Sequence, residues 1–279
     1  MYTIRSLFKE YSQRLQEIYP KQEAESLVYW LMDYFLAIRR KDILVGKNIH
    51  TIPLALEQAV EKLMKGMPIQ YIIESAPFYG REFKVSPSVL IPRNETEELV
   101  HLIIKENNLP GLKILDLGSG SGCIPITLAL ELDHALVSGV DISEEAIYLS
   151  EFNASTLGAS VNFSKLDVLL EDFPSVDWDI LVSNPPYVRR SEKAQMHQNV
   201  LDYEPHLALF VNDEDPLLFY RVISQKGKTA LKTGGKLYFE INEAFGQQVQ
   251  TMMGDLGYTH IKCLKDLNNR DRIVSAVNP

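Results

Sequence analysis

The sequence predicts an α/β protein in which a doubly wound, mostly parallel sheet follows a small helical bundle. Three observations carry this expectation. Apolar residues recur at helical spacing over about the first 70 residues; strand and helix patterns alternate from residue 113 to residue 258; and glycine-rich or proline-rich breaks fall where the strands end.

A chain of 279 residues with 46% hydrophobic and 23% charged residues can fill two cores and lies far from disordered composition. Its 28 basic against 37 acidic residues give a formal charge of −9, which opposes a broad grip on a phosphate backbone. Stable nucleic-acid binding is therefore not expected. Cys123 and Cys263 stand far apart without a partner motif, and His197, His206 and His260 lack ligand spacing, so neither a disulfide framework nor a metal site is expected. A reducing cytoplasm is the expected location, and a monomer the expected state. The start has no apolar leader pattern, and no run approaches the ~18 apolar residues of a membrane span.

In order along the chain, Leu7, Phe8, Tyr11, Leu15 and Ile18 mark one helical face that Pro20 ends. Leu27, Trp30, Leu31, Tyr34, Phe35 and Ile38 mark a second, and Leu56, Ala59, Val60, Leu63 and Met64 a third. No strand alternation is expected before about residue 70. Pro68, Pro77, Gly80, Pro87 and Pro92 then punctuate a short alternating stretch, Phe78 to Val85, that reads as a hairpin. The expected division is a helical domain over residues 1–75, a hairpin connector over 76–93 and a larger domain over 94–279. Asn94 is placed to cap a helix with Glu95, Glu97 and Glu98 in its first turn and Leu99, Leu102 and Ile103 on its buried stripe.

Seven strands are expected at 114–117, 135–140, 161–166, 180–183, 236–241, 260–264 and 273–277, with helices between most of them. A turn joins the last two, so one of them must run antiparallel.

Two strand ends carry chemistry. The strand reaching Ser183 stops at Asn184-Pro185-Pro186-Tyr187, because two prolines remove two backbone donors and prevent further pairing. The C-terminal edge of an open α/β sheet is where ligands bind. A planar amide or arylamine nitrogen is a weak nucleophile, and alkylating it requires acceptors that hold its hydrogens while an electrophile is brought into line. The Asn184 side-chain oxygen and the Pro185 carbonyl are candidate acceptors, Pro186 adjoins them, and Tyr187 offers a ring to stack on the flat group. The bland alternative is a Pro-Pro turn beside a bystander amide.

The second strand end is Asp116-Leu117-Gly118-Ser119-Gly120-Ser121-Gly122. Its spacing is GxGxG, not the dinucleotide GxGxxG. Asp116 ahead of the loop repels a pyrophosphate and suits a ligand with an ammonium group. Asp141 is placed to accept two ribose hydroxyls and Asp167 an adenine amino hydrogen. Three carboxylates around a glycine loop point to S-adenosylmethionine over a nicotinamide cofactor, or over a plain tight turn with solvated aspartates.

These stretches, with Leu90-Ile91-Pro92-Arg93-Asn94-Glu95-Thr96-Glu97, Tyr203-Glu204-Pro205 and Asp271-Arg272-Ile273-Val274, resemble the HemK/PrmC family of release factor glutamine N5-methyltransferases over essentially the whole chain. The resemblance implies a class I, Rossmann-like methyltransferase fold with a substrate-recognising helical domain. It implies that Gly118, Ser119, Gly120, Ser121, Gly122, Asp141, Asp167, Val168 and Asn184 surround S-adenosylmethionine, which leaves as S-adenosylhomocysteine. Asn184, Pro185, Pro186 and Tyr187 would hold the target, the glutamine amide in the Gly-Gly-Gln loop of class I peptide chain release factors. Asn-Pro-Pro-Tyr alone also resembles adenine-N6 nucleic-acid methyltransferases, which are the alternative; a catalytically silent binding protein is a third. Two positions depart from the family pattern: Asn94 stands where Pro or Asp is expected, and Ile73-Glu74-Ser75 lacks a glycine expected before the hairpin.

Overall fold

The computed structural model describes residues 2–174 and 177–279. The chain folds as two compact units, Met1–Glu74 with His197–Tyr203, and Ser75–Met196 with Glu204–Pro279.

The first unit is helical, built on Ile4–Leu15, Lys21–Leu36 and Leu54–Met64 with the shorter Arg40–Val45 and Ile69–Ile73. Ile4, Leu7, Tyr11 and Leu15 fall on one face, meet Val28, Leu31, Leu56 and Leu63, and close a core in which Trp30 is a half-buried border residue. Thr3 opens the first helix, its hydroxyl oxygen accepting from the Ser6 amide at 3.1 Å. A two-residue antiparallel ladder, Tyr2–Thr3 with Asn48–Ile49, corrects the expectation of no strand in this region. Two residues are too few to show a period.

The hairpin strands Ser75–Phe78 and Arg81–Lys84 open the second unit. Phe78 and Phe83 meet edge to face with centroids 5.9 Å apart and pack into the core beside Leu99, Ile103 and Ile114. The helix Asn94–Glu106 follows, burying Thr96, Leu99, Val100 and Ile103. Its cap position is Arg93, with extended backbone, and Asn94 is the first helical residue and makes no cap bond, contrary to the expectation. Leu102 is only half-buried, while Val100 takes the core position beside Leu99.

The seven strands of the main sheet are Lys113–Leu117, Leu136–Asp141, Val161–Lys165, Trp178–Ser183, Leu231–Glu240, Thr259–Lys265 and Asp271–Val277. Across the sheet they run sixth, seventh, fifth, fourth, first, second, third. Only the seventh is antiparallel to its neighbours, the fifth and the sixth. Alternate residues supply the two faces: Leu115, Leu181, Leu237 and Phe239 pack into one core, and Ile114, Ile180, Val182 and Tyr238 into the other. The fifth strand begins earlier than predicted, because Leu231 already pairs with Trp178 before an irregularity that ends at Lys236.

The first and fourth strands are neighbours, and successive strands leave them in opposite directions. A crevice therefore opens beyond their C-terminal ends, where both Gly118 and Asn184 emerge. The hydroxyl of buried Ser183 donates to the Leu117 carbonyl at 2.6 Å and fixes the two exits to each other.

Candidate active site

A cavity of about 530 Å³ occupies this crevice. Its wall includes Gly118, Ser119, Gly120 and Ser121 from the glycine loop, Asp141, Asp167 and Val168 from the next two strand ends, and Asn184, Pro185 and Pro186. Two expected site residues lie elsewhere. Gly122 does not line the cavity; with φ of +80° it turns the chain into the helix Cys123–Glu131, and an added Cβ would come within 2.8 Å of Ile126. Tyr187 does not line it either, because the two prolines carry its ring back against the core around the fifth strand.

The loop is pinned by its own backbone. Gly118 and Ser119 amides both donate to the Val140 carbonyl, at 2.8 and 3.0 Å, and the Gly120 amide donates to Asp141 Oδ2 at 2.8 Å. Gly118 and Gly120 hold φ of +85° and +53°, and a Cβ at either would enter open space, so the loop leaves room for a ligand. Asp141 Oδ1 accepts from the Ser143 amide at 3.0 Å, which leaves each Asp141 oxygen capacity for a further donor.

Among the described residues, the buried side-chain oxygens without a partner at or near the loop are Asn184 Oδ1, Ser121 Oγ and both carboxyl oxygens of Asp116. Asn184 Oδ1 accepts no hydrogen bond, although its amide nitrogen donates to Thr96 Oγ1 at 3.3 Å. Asp116, expected to meet an ammonium group, is fully buried and does not line the cavity, and neither of its carboxyl oxygens is bonded. Burial, with Asp141 adding repulsion, holds its pKa well above the ordinary carboxylate range. An unmet buried acceptor costs about 1–3 kcal/mol, a cost that a ligand supplying the missing donor relieves.

Behind Asn184 lies a polar network that sequence reasoning did not find. Thr96 Oγ1 donates to Glu240 Oε2 at 2.7 Å, and the Tyr187 hydroxyl donates to Glu240 Oε1 at 3.0 Å. Burial raises the Glu240 pKa, opposed by the hydrogen bonds from Thr96 and Tyr187 and by the charge of Arg272. Arg272 is itself held by Asp266 at 3.2 Å. Burial pushes the Tyr187 phenol far up, so it keeps its proton and donates. To one side, Arg93 pairs with buried Glu204 at 2.6 Å. The one available signal was that Arg93, Thr96, Glu204 and Arg272 all sit in the stretches that carry the family resemblance.

Cys123 also lines the cavity, but burial pushes its thiol up to about 12, so it is not a nucleophile near neutral pH. His197, His206 and His260 are exposed. Among the described residues no cluster of histidine, cysteine and carboxylate side chains could hold a metal ion.

Comparison with known proteins decides the family. A pattern described as the PrmC N-terminal domain matches residues 6–73, and one described as the Methyltransferase small domain matches residues 96–206. A release factor glutamine methyltransferase of Bacteroides thetaiotaomicron is 47% identical, over 95% of this chain and 96% of its own. The chain belongs to the release factor glutamine methyltransferase family. A second member, from Flavobacterium psychrophilum, is 39% identical over 97% of this chain and 98% of its own. A solved methyltransferase from Pyrococcus furiosus shares the fold, with a TM-score of 0.54 and 16% identity, covering 72% of this chain and 90% of that one.

The methyl donor of a methyltransferase of this family is S-adenosylmethionine, and the residues present suit it. A cation with ribose hydroxyls and an amino-bearing base finds here a glycine loop with open space before it and carboxylates at two strand ends.

Proposed function

We propose that this chain transfers a methyl group from S-adenosylmethionine to the side-chain amide nitrogen of the glutamine in the Gly-Gly-Gln loop of class I peptide chain release factors. One observation supports this above the others: Asn184, on the cavity wall beside the glycine loop, presents a buried amide oxygen with no partner. That oxygen, with the Pro185 carbonyl, is suited to accept the two hydrogens of a primary amide and so to orient its nitrogen.

When bound, the cofactor supplies a methyl group on a positively charged sulfur. The backbone from Gly118 to Ser121 cradles it, Asp141 takes its ribose hydroxyls, and Asp167 and Val168 flank its base. Asn184 and Pro185 hold the glutamine amide so that its lone pair faces the methyl carbon, with Pro186 as an apolar wall. Transfer would form a new N–C bond at the glutamine nitrogen as the methyl–sulfur bond breaks with its electron pair left on sulfur, and the proton shed by nitrogen would pass to water. In place of stacking, Tyr187 acts from behind, through Glu240. Residues 1–75 supply contacts to the release factor, a transient protein partner met by a monomer in the cytoplasm. The adenine-N6 alternative is not favoured: the relatives above are named for release factor glutamine, and a formal charge of −9 is poorly suited to nucleic acid.

The test uses methyl-labelled cofactor, a class I release factor and mapping of the label. Label is expected on the glutamine amide. Asn184→Ala should lower single-turnover transfer on the order of 10²–10³-fold at saturating cofactor, the scale of losing one preorganised polar group. A variant that transfers at the parent rate would sink the reading.

A further inference from the structure

We infer that Thr96 and Glu240 are positioning residues that set which way round the Asn184 amide faces. The inference rests on the function proposed above and deepens it. An asparagine amide has two ends of nearly equal shape and opposite hydrogen-bonding character, and only its surroundings choose between them. If the nitrogen faced the cavity, it would point two donors at a target amide that needs acceptors. Methyl transfer therefore depends on something that keeps the oxygen forward.

Hydrogen-bond direction can be followed from one end of the network to the other. Glu240 is 1% exposed and receives two hydroxyl groups, Tyr187 on Oε1 at 3.0 Å and Thr96 on Oε2 at 2.7 Å. A carboxylate accepts and does not donate, so both hydroxyl hydrogens are committed to it. Thr96 Oγ1, its hydrogen spent, can face Asn184 only as an acceptor. Asn184 must then present its nitrogen to Thr96, at 3.3 Å, which leaves the oxygen to the cavity side. Reversing the amide would set two acceptors against each other behind a buried wall, a costly arrangement in a site of low polarity.

The same bonds fix position. Thr96 lies in the first turn of the helix Asn94–Glu106, and Glu240 ends the fifth strand. Both elements are packed on the core, so Asn184 is braced by rigid parts of the fold although it emerges on a turn. Tyr187 follows two prolines and reaches the same carboxylate, which closes the Asn184 to Tyr187 turn into a ring of hydrogen bonds. Asn242 adds a further anchor, its side-chain nitrogen donating to the Tyr187 carbonyl at 3.2 Å.

The full chain tests this with Thr96→Val, Thr96→Ser and Glu240→Gln, each measured for S-adenosylhomocysteine affinity and for single-turnover methylation of a Gly-Gly-Gln peptide at saturating cofactor. Valine keeps the shape of threonine and removes the acceptor; serine keeps the acceptor. Thr96→Val is expected to slow transfer by about tenfold or more with affinity held within about threefold, and Thr96→Ser to recover most of that loss. Glu240→Gln, whose new amide donates where a carboxylate accepted, is expected to slow transfer likewise. A Thr96→Val enzyme as fast as the parent overturns the inference. So does one whose cofactor affinity falls as far as its rate, or a serine variant as slow as valine. Should Thr96→Val not fold, a Glu240→Gln rate equal to the parent's overturns it. A parent that leaves glutamine unmethylated defeats the proposed function instead, and that measurement is made first.

Discussion

Asp116 makes the residue scale measurable, because its carboxyl is fully buried with no partner on either oxygen. Its folded pKa stands well above its unfolded value, burial being the main cause and Asp141 the second. Between the two values the folded chain keeps a proton that the unfolded chain has released, so unfolding stability falls as pH rises through that window, by at most about 1.4 kcal/mol per pH unit. Asp116→Asn cannot titrate and lacks this contribution. Urea denaturation from pH 4.5 to 7.5 should show the variant gaining on the parent as pH rises. Parallel profiles would show that Asp116 titrates in the native state at its unfolded value, with no shift from burial. The raised carboxyl of Glu240 acts on both chains alike and cancels, whereas Asp141 is coupled to Asp116, so the difference between the profiles reports the pair. At this scale the sequence exposed the strand-end residues, since glycines or prolines break the apolar pattern beside Gly118 and Asn184 and a lone carboxylate ends the apolar run at Asp141. It did not expose Glu240, which follows Tyr238-Phe239 and reads as the polar end of a buried strand. Its partner Thr96 lies 144 residues away, and no spacing links them.

At the scale of elements, periodicity served where a segment buries one or two faces regularly. All seven main strands and the longer helices of the second unit were readable for that reason, and their ends moved where bulges and caps intervene, as at Leu231 and Asn94. The stretch between Asn184 and Leu217 gave no pattern. It holds a parallel pair of two-residue strands, Val188–Arg189 with Phe210–Val211, and three short helical turns, too brief to repeat. The missing glycine before the hairpin has a structural counterpart: Glu74 ends the helix Ile69–Ile73 in the left-handed region, with φ of 54° and ψ of 30°. That conformation strains a residue with a Cβ by about 1–2 kcal/mol, and glycine relieves the strain while losing more freedom on folding. Glu74→Gly is therefore expected to raise unfolding stability by about 0.5–1 kcal/mol net, read as a higher urea midpoint at unchanged slope. A lower midpoint would mean that the contacts of the Glu74 side chain outweigh the backbone strain.

At the scale of the molecule, each unit has a core of its own, and the second contains the whole cavity wall. The hairpin belongs with that second unit. Asn153 on the helix Glu144–Leu157 accepts from the Lys84 amide at 2.8 Å and donates to its carbonyl at 2.9 Å, while Phe78 and Phe83 fill the core. A fragment cut at Pro92 would strip both rings from that core, whereas a fragment of residues 75–279 keeps them. The helical unit leaves Tyr34, Leu44, Val45 and Leu54 exposed. If that unit serves recognition and not chemistry, the 75–279 fragment should bind S-adenosylhomocysteine within about threefold of the full chain and methylate a short Gly-Gly-Gln peptide nearly as fast. On an intact release factor it should lose at least about tenfold in kcat/KM, because contacts made by remote parts of a substrate are lost with the surface that makes them. Measuring both substrates with both proteins separates the cases. Equal proportional losses on peptide and release factor would mean that residues 1–74 support the catalytic unit's fold and do not contact the substrate.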